Sequence, residues 1–505
     1  MRKAIALAVI AALWAGAVGA EPVGEFGEHA DVGEVSTPGS VTHTGGSYRM
    51  TASGANIWGA EDEFHYAWTQ RSGDLHIAAD IAFEGAGVDP HRKAGVMIRQ
   101  NLTPGSPYAD VMVHGDGLVS LQYREVQDGP TRQIVSAVTQ PKRVRLEREG
   151  DFVYFSVAGP DGDLEHAGGS FRIAFQAPYM VGHALSAHND AVTEAATFSN
   201  VEIAVPRLAY VPDTGYAARV EATLEVIDVA DSNRRVVRHF DGKIEAPNWS
   251  RDGKDLIYNS GGRIWRIAAQ GGEPAEIDTG RFVDNNNDHG LSPDGTQLVI
   301  SDQIEPDNLS RIHVVTLDGS APIRTVVDDP QARSYWHGWS PDGATLAYVR
   351  VALEGDGYDI WAKDLAGGEP HPLIVGPGVD DGPEYSPDGK HLYFNSTRSG
   401  AMALWRAKAD GSDPVQLTHD PARRDWFPHV SPDGKWLAYI SFGDDIALGD
   451  HPPNREDVQL RIMPADGSAP PRVLTRLFGG QGTINVPSWS PDGTSVAFVS
   501  YRLKR

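Results

Sequence analysis

Four side chains that could bind a metal precede the serines of a repeated motif in the second half of the chain. His289 and His337 each lie three residues before such a serine, whereas Glu384 and His429 lie two residues before theirs. Matched offsets in successive repeats predict that these side chains stand at similar heights around one axis. Imidazole and carboxylate ligands together suit Zn or Mn, so we predict a divalent-metal site formed by these four residues.

Calcium is a further candidate for the metal. Asp284, Asn286 and Asp288 have the spacing of the first three ligands of a calcium-binding loop, but His289 stands where that loop requires glycine. The identity of the metal therefore stays open among Mn, Zn and Ca. Each histidine also has a structural alternative, in which it caps a loop or bonds a neighbouring carbonyl. The sequence contains no phosphate-binding glycine motif, so we expect no nucleotide cofactor.

Other residues in the same connections could act on a bound ligand. For hydrolysis, Asp380, Asp381 and Glu384 offer paired carboxylates suited to acid–base chemistry. Asp381 and Glu384, together with His451 and Arg398, are the catalytic candidates. The predicted ligand-binding residues are polar or aromatic neighbours of this set: Asp288, Trp336, Trp426, Gln481 and Asn485.

The repeated motif predicts the elements that carry these residues. Ser-Pro-Asp-Gly, with Arg in place of Pro in the first copy, occurs six times, at Ser250, Ser292, Ser340, Ser386, Ser431 and Ser490. Pro presets φ, Asp bonds the following backbone and Gly accepts a positive φ, so each copy is a tight turn. Apolar runs flank every turn, which indicates strand–turn–strand hairpins. A spacing of 42 to 59 residues is typical of β-propeller blades.

The number of strands predicts how the ring closes. Only fifteen residues follow Ser490, enough for one further strand of the four that a blade needs. Residues 222–229 and 235–240 form an orphan hairpin before the first motif, and we predict that it completes the last blade. The expected fold is a six-bladed propeller closed by strands from both chain ends, without open sheet edges. The motif turns then lie on one face, and the candidate residues surround the channel mouth on the other.

The motif resembles the W-S-P-D-G repeat of the TolB-type propeller family. Trp249-Ser, Trp339-Ser-Pro-Asp-Gly and Trp489-Ser-Pro-Asp-Gly carry the resemblance, which covers about residues 208–505. It implies a six-bladed propeller and says little about activity, because unrelated functions share such folds.

A looser resemblance is to the metal-dependent oligogalacturonate lyases, which are TolB-like propellers with a His/Gln metal site at the channel mouth. It implies that the metal would neutralise a uronate carboxylate, and that a histidine or Arg398 would take up the α-proton or stabilise the enolate. The residue types for such a site are supplied by His289, His337, His429, His451 and Gln481.

The first part of the chain lacks the motif. Short strands with period-two patterning and turn signals predict a β-sandwich there. Lys93–Arg99 and Leu118–Arg124 resemble strands of concanavalin-like jelly rolls, which implies either glycan binding or a purely structural domain. We predict a signal peptide at residues 1–20, a jelly roll at 21–205 and the propeller at 206–505.

Composition narrows the location and the partners. Basic residues at the start, followed by an apolar run, predict a secretory signal peptide that is too short for a convincing membrane anchor. The chain of 505 residues has no Cys and a net charge of −24, which opposes binding to nucleic acid and to acidic membranes. A bacterial periplasmic or secreted protein without membrane insertion fits these observations.

These patterns predict a protein that binds an oligosaccharide or polysaccharide at the propeller mouth, with help from the N-terminal domain. Cleavage by lyase or hydrolase chemistry is an open extension of that prediction. The alternative is a non-catalytic envelope scaffold of TolB type, in which the mouth binds a protein partner and the histidines are structural.

Overall fold

The computed structural model describes residues 22–159, 162–206, 219–304, 307–355, 357–447 and 451–503. The predicted signal peptide lies outside the described residues, as does the linker segment that contains Pro212. Regular structure in the described ranges consists of 39 strands and one short 3-10 helix, Gln481–Thr483, so the prediction of an all-β protein is confirmed. Within the same ranges, no helix has the length and apolar character needed to span a membrane.

Sixteen strands precede the propeller. They are β1 (Glu28–Val32), β2 (Ser40–Thr44), β3 (Ser47–Ala52), β4 (Ile57–Trp58), β5 (Glu61–Asp62), β6 (Phe64–Arg71), β7 (Leu75–Phe83), β8 (Lys93–Arg99), β9 (Tyr108–His114), β10 (Val119–Arg124), β11 (Arg132–Val135), β12 (Arg143–Glu149), β13 (Phe152–Ala158), β14 (Glu165–Arg172), β15 (Tyr179–Ser186) and β16 (Glu194–Ala204).

The N-terminal strands form two antiparallel layers that share one hydrophobic core. One sheet has the order β14-β13-β12-β7-β16-β3-β2, and the other begins β1-β6-β15-β8-β9-β10-β11. Met50, Ile77 and Val144 of the first sheet belong to the same buried cluster as Val111 and Val181 of the second. Because successive residues of a strand face opposite sides of its sheet, this shared core explains the period-two pattern of the sequence.

The propeller comprises the remaining strands. They are β17 (Val220–Asp228), β18 (Arg234–Phe240), β19 (Glu245–Trp249), β20 (Asp255–Ser260), β21 (Arg263–Ala268), β22 (Ala275–Glu276), β23 (Asn285–Leu291), β24 (Gln297–Ile304), β25 (Leu309–Thr316), β26 (Arg324–Val327), β27 (Ala332–Trp339), β28 (Thr345–Ala352), β29 (Tyr358–Asp364), β30 (His371–Ile374), β31 (Asp380–Tyr385), β32 (His391–Ser396), β33 (Ala403–Lys408), β34 (Val415–Gln416), β35 (Arg423–Val430), β36 (Trp436–Gly443), β37 (Arg455–Pro464), β38 (Arg472–Gly479) and β39 (Ser495–Leu503).

Five four-stranded blades follow one another in chain order, from β19–β22 to β35–β38. In the fifth blade the Ser431 hydroxyl donates to the Asp433 carboxylate (2.7 Å) and accepts a hydrogen bond from the Trp436 N–H (3.0 Å). Gly434 has a φ of 73°, a conformation that side chains disfavour. These contacts join the inner strand to the second strand, and they confirm the predicted strand–turn–strand hairpin.

Strand β39 closes the ring from the C-terminal side. It pairs antiparallel with β17 over nine residue pairs, from Val220 with Leu503 to Asp228 with Ser495, and β17 in turn pairs with β18. The predicted pairing of the orphan hairpin β17–β18 with the last strand is confirmed. The structure shows five complete blades, however, where six were predicted. The closing unit has three strands because the segment before β39 makes an isolated bridge through Trp489 instead of a ladder.

The closing unit is continuous with the N-terminal sheet. β18 pairs in parallel with β11 through Ile134 and Val135, which gives one ten-stranded sheet across both parts of the chain. A fully buried ion pair lies at this junction, with 2.6 Å between Arg234 Nη2 and Glu225 Oε1. Arg234 also donates to the Ser170 carbonyl (2.9 Å). The predicted boundary near residue 205 falls between β16 and β17 in the sequence. The ten-stranded sheet nevertheless contains strands from both sides of this boundary.

Candidate functional site

A polar cavity opens at the mouth of the propeller, at the end of the channel opposite the Ser-Pro-Asp-Gly turns. Its volume is about 310 Å³, and we call it the mouth cavity. Residues of the inner strands β23, β27 and β31 border it, together with parts of neighbouring strands. Its lining residues are Asn286, Asn287, Asp288, Gln303, Tyr335, His337, Val349, Tyr358, Asp381, His451 and Gln481. Five of the predicted site residues are therefore brought together: Asp288, His337, Asp381, His451 and Gln481.

Two carboxylates and two imidazoles form the charged floor of the mouth cavity. His337 Nε2 lies 3.3 Å from Asp381 Oδ1 and 3.6 Å from Asp288 Oδ1. His451 Nε2 lies 2.9 Å from Asp381 Oδ2. The side chains of Asp288, His337 and Asp381 are at most 5% exposed, so their mutual contacts dominate over solvent.

Burial and charge shift the protonation of this group in opposite directions. Burial alone would lower the pKa of His337, but the Asp288 and Asp381 carboxylates raise it above its ordinary value. Burial opposes the ionisation of Asp381, yet hydrogen bonds from His337 and His451 hold the pKa of this carboxyl well below its usual range. Burial raises the pKa of Asp288 in spite of nearby His337. Near neutral pH, Asp381 is therefore ionised, and Asp288 is the carboxyl more easily protonated.

Two amide side chains hold Asp288 in place. The Asn286 side chain donates to Asp288 Oδ2, and the Asn485 side chain donates to Asp288 Oδ1. Asn485 is itself fully buried in the segment that follows the 3-10 helix. It was predicted to bind ligand directly, and the structure places it behind Asp288 as a positioning residue.

β-Bulges decide which of the four predicted metal ligands face the mouth cavity. The ladder of β27 shifts register between Trp336 and Gly338, so His337 is an extra residue that turns into the cavity. His289 instead stays in the ladder opposite Ile300. It is fully buried, and burial lowers its pKa to about 4. Equal offsets from the motif serine therefore do not give equal side-chain directions, and the structure does not bring the four residues together.

Glu384 and His429 form a closed pair between two neighbouring inner strands. His429 Nδ1 lies 2.7 Å from Glu384 Oε2, and His429 Nε2 donates to the Ile484 carbonyl (2.7 Å). Glu384 Oε1 accepts a hydrogen bond from the Val430 N–H (3.1 Å). Both side chains are at most 11% exposed. Because each ring nitrogen and each carboxylate oxygen of the pair has a hydrogen-bond partner, these contacts join β31 to β35.

The remaining predicted residues lie beside the cavity. Arg398 Nη2 lies 3.0 Å from both oxygens of Asp380, an ion pair next to the mouth. Trp426 is buried, and its ring centroid is 5.3 Å from that of His451. These contacts support the cavity wall from behind, so neither Arg398 nor Trp426 touches the cavity space directly.

The mouth cavity does not have the geometry of a metal site. Its imidazoles face carboxylates at hydrogen-bond distance, as His451 does toward Asp381. Among the residues that the structure describes, no group of three or more His, Asp or Glu has a spacing that could hold a metal ion. The donor set therefore does not fit the predicted metal, and we derive no chemistry through one.

Three lining residues come from strands that the motif does not mark. Gln303 and Val349 lie on the second strands β24 and β28, and Tyr358 begins the third strand β29. The sequence placed candidates mainly in the connections before the motif, so it missed these residues. Their position in the sequence was the available signal, because the end of a blade's second strand and the start of its third strand also border the mouth.

A second cavity of about 300 Å³ opens at the other end of the channel, and we call it the turn-face cavity. Trp336 and Glu384, both predicted at the mouth, line this cavity instead. Its other walls are largely residues immediately before or after the motif serines, including Trp249, Leu291, Pro293, Trp339, Pro341, Tyr385, Pro387, Val430, Pro432, Trp489 and Pro491.

Sequence comparison connects this architecture to known proteins. The family model of the TolB β-propeller domain matches residues 308–449. An uncharacterised protein of Agrobacterium fabrum is 42% identical over 289 residues, which cover 57% of this chain and 95% of the relative. The Tol-Pal system protein TolB of Francisella tularensis is 28% identical over 299 residues, 56% of this chain; the chain spans 63% of that relative.

One of the similar solved structures agrees on the fold of the propeller. A TolB candidate from Agrobacterium tumefaciens is 41% identical, with a TM-score of 0.52, and the match covers 56% of this chain and 99% of that one. An oligogalacturonate lyase in complex with manganese is 15% identical, with a TM-score of 0.35, over 51% of this chain and 89% of that one. The likeness to the lyase is too distant to carry an argument about activity. Because the chain covers nearly all of a relative that is 42% identical, and the TolB model matches within the same propeller, it belongs to the TolB-like β-propeller family.

Proposed function

We propose that this protein is a TolB-type binding protein of the periplasm or the extracellular space, whose mouth cavity receives a basic side chain of a protein partner. The observation that carries the proposal is the buried group in which His337 lies between the carboxylates of Asp288 and Asp381. When Asp288 and Asp381 are both ionised and only one of the imidazoles of His337 and His451 is charged, the group can accept one more positive charge. The relatives from Francisella bear the name of a Tol-Pal system protein, which is consistent with a partner that is a protein.

An entering ammonium or guanidinium group would complete the charge balance of the cavity. Burial raises the pKa of Asp288, and a cation beside this carboxyl would favour its ionised form. The side chains of Gln303 and Gln481 also line the space and can bind the remaining N–H groups or adjacent backbone. The net charge of −24 attracts a basic partner over a longer range.

An oligosaccharide is the second candidate ligand. The rings of Tyr335 and Tyr358 line the same cavity as several amide side chains, and aromatic faces with amides suit sugar rings with their hydroxyl groups. In this case the two N-terminal sheets would form a jelly roll that assists glycan binding. Cleavage would use Asp381 to orient His451 as the proton acceptor, since these two groups are in contact at 2.9 Å.

Calorimetric titration of the full chain distinguishes the two ligands. The probes are the peptide Ac-Gly-Arg-Gly-NH2, the same peptide with norleucine in place of arginine, and trigalacturonate. We expect the arginine peptide to bind at least tenfold more tightly than the norleucine peptide, which corresponds to about 1.4 kcal/mol. Added salt should weaken this binding. Equal affinities for the two peptides, or binding of trigalacturonate alone, would contradict the proposal for a basic side chain.

A pair of matched variants places the binding at the mouth cavity. Asp288→Asn removes one of the two carboxylates and should weaken binding of the arginine peptide about tenfold. Asp444→Asn is the control, because Asp444 is exposed on a connection at the same end of the propeller, outside the cavity. Equal losses in both variants would indicate a general effect of charge. Formation of unsaturated product from trigalacturonate would favour the lyase interpretation instead.

A further inference from the structure

The turn-face cavity contains buried polar groups that remain unsatisfied. Asn248 is 4% exposed, and within the described part of the chain neither Nδ2 nor Oδ1 of its amide has a hydrogen-bond partner. The indole N–H groups of Trp249 and Trp336, which line the same cavity, also lack acceptors among the described residues. Buried polar groups are nearly always paired in folded proteins, so this combination points to a ligand.

The unpaired atoms indicate what kind of ligand fits. The amide of Asn248 and the indoles of Trp249 and Trp336 all offer donors, whereas the amide oxygen is the one unpaired acceptor of these three side chains. A matching ligand must therefore present more acceptors than donors. A sugar hydroxyl can donate as well as accept, but a proline-rich peptide presents carbonyl oxygens and lacks an N–H at each proline.

The walls and the rim of the cavity suit the same ligand. Trp339, Trp489 and their neighbouring prolines provide flat apolar surfaces, the kind of wall against which extended proline-rich segments dock. Exposed carboxylates of Asp294 and Asp342 lie in the surrounding turns, where hydrogen bonds from the motif serines lower their pKa values. They stay ionised at neutral pH. Inside the cavity the lining cation is Arg251, which donates to the Ser292 and Leu291 carbonyls, so a basic residue beside the prolines would meet negative charge only at the rim, near Asp294 and Asp342.

We propose that the turn-face cavity is a second binding site, which takes a proline-rich segment of another protein with a basic residue next to the prolines. A proline ring enters between the indoles, and the peptide carbonyls accept hydrogen bonds from Asn248 Nδ2 and Trp249 Nε1. This site lies at the other end of the channel from the mouth cavity, and it does not depend on the function proposed there.

Fluorescence anisotropy with the full chain tests the proposal. The probe is fluorescein-labelled Pro-Pro-Pro-Pro-Lys, and the comparison peptide is Ala-Ala-Ala-Ala-Lys with the same label. We expect the proline peptide to bind at least tenfold more tightly. Asn248→Leu should weaken that binding at least tenfold and leave the Tm unchanged or higher, because it removes an amide that has no partner in the protein. A structural role for Asn248 would instead lower the Tm.

A second pair of variants separates the cavity from the rest of the fold. Trp249→Phe and Trp361→Phe each remove a buried indole N–H without a partner among the described residues, but only Trp249 lines the cavity. We expect Trp249→Phe to weaken the proline peptide severalfold and Trp361→Phe to leave it unchanged. Equal binding of the alanine peptide, equal effects of the two variants, or displacement of the probe by chitotriose would overturn the proposal.

Discussion

The two ends of the propeller channel bury polar groups in contrasting ways. At the mouth, His337 and His451 are paired with carboxylates, so charges and hydrogen bonds are largely satisfied within the protein. At the turn face, the amide of Asn248 is unpaired among the described residues and is surrounded by indole and pyrrolidine rings. Both ends derive from the same repeats, yet they present different chemistry to a ligand.

Paired charges and unpaired buried amides give a binding site different properties. A buried group of paired charges is stable only while each charge keeps its partner, and its binding of a charged ligand depends on pH and salt. An unpaired buried amide destabilises the free protein, and this cost is recovered when a ligand supplies the missing partner. The mouth should therefore respond to changes of charge, and the turn face to changes of shape and hydrogen bonding. The most severe test of this contrast is a change that prevents both cavities from forming.

Removal of β39 should have the largest effect. Deleting Ser495–Leu503 takes away the partner of β17 over nine residue pairs, together with the buried side chains of Phe498 and Tyr501. We expect the shortened chain to fail to fold, since the loss exceeds the total stability of about 5–15 kcal/mol that domains possess. Circular dichroism and thermal melting measure this. A shortened chain with the Tm of the full chain would show that closure of the ring by β39 stabilises neither the mouth cavity nor the turn-face cavity.

Breaking the Glu384–His429 pair, which lies between the two ends, should have the next largest effect. His429→Leu leaves the Glu384 carboxylate buried without its imidazole, and we expect a loss of about 3–5 kcal/mol in the free energy of unfolding. Urea denaturation measures the loss. His371→Leu on the exposed part of β30 is the control and should change stability by less than about 0.5 kcal/mol. A small effect of His429→Leu would mean that the two ends are independent.

The two histidines at the same motif offset should show opposite pH responses. His337 has a raised pKa in the folded state, so its contribution is fully present below about pH 6.5 and is lost as pH rises through the raised value. His289 has a pKa lowered to about 4, so it destabilises the fold as pH falls from about 6.5 toward 4, by about 3 kcal/mol. Urea denaturation at pH 5, 6.5 and 8 measures both.

The variants assign each response to its residue. His337→Gln should flatten the decline in stability between pH 6.5 and pH 8, and His289→Gln should flatten the decline between pH 6.5 and pH 5. The crossed result, in which His289→Gln changes only the alkaline side, would contradict the assignment of His337 to the charged mouth.

Asn248→Leu should have the smallest effect on stability. Because no described protein group bonds the Asn248 amide, its removal should leave the free energy of unfolding unchanged or raise it by about 1 kcal/mol. The same change at Asn485, which donates to Asp288 at the mouth, should lower it by about 1–3 kcal/mol. Urea denaturation of both variants compares the two ends directly. A similar loss in both would remove the distinction between them.

The parts of the fold that could be predicted from sequence are those set by local chemistry. The turn at Ser431 follows from the residue types in the motif, and the orphan hairpin at β17–β18 follows from counting strands. The different directions of the His289 and His337 side chains could not be predicted, because bulges in the inner strands change side-chain direction without changing the spacing in sequence. Pairing register, and not distance from the motif serine, determines which residue reaches the cavity.

The turn-face cavity could not be predicted from the sequence for a different reason. Its walls are the aromatic residues before the serines and the prolines after them, such as Trp339 and Pro341. The motif predicts a tight turn around each serine, and its residue types alone do not indicate that these side chains enclose a cavity. The unpaired amide of Asn248 depends on three-dimensional packing, so no pattern in the sequence could have revealed it.

Ring closure also sets an order of events during synthesis. β17 is made before the five complete blades, and its partner β39 is made after them. At roughly 5–20 residues per second, the hairpin waits on the order of 15 to 60 s for this partner. β11 is already available during that interval and can cover the outer edge of β18. The N-terminal sheets thus protect one side of the unfinished ring, and the β17 edge is the place where a nascent chain is open to aggregation.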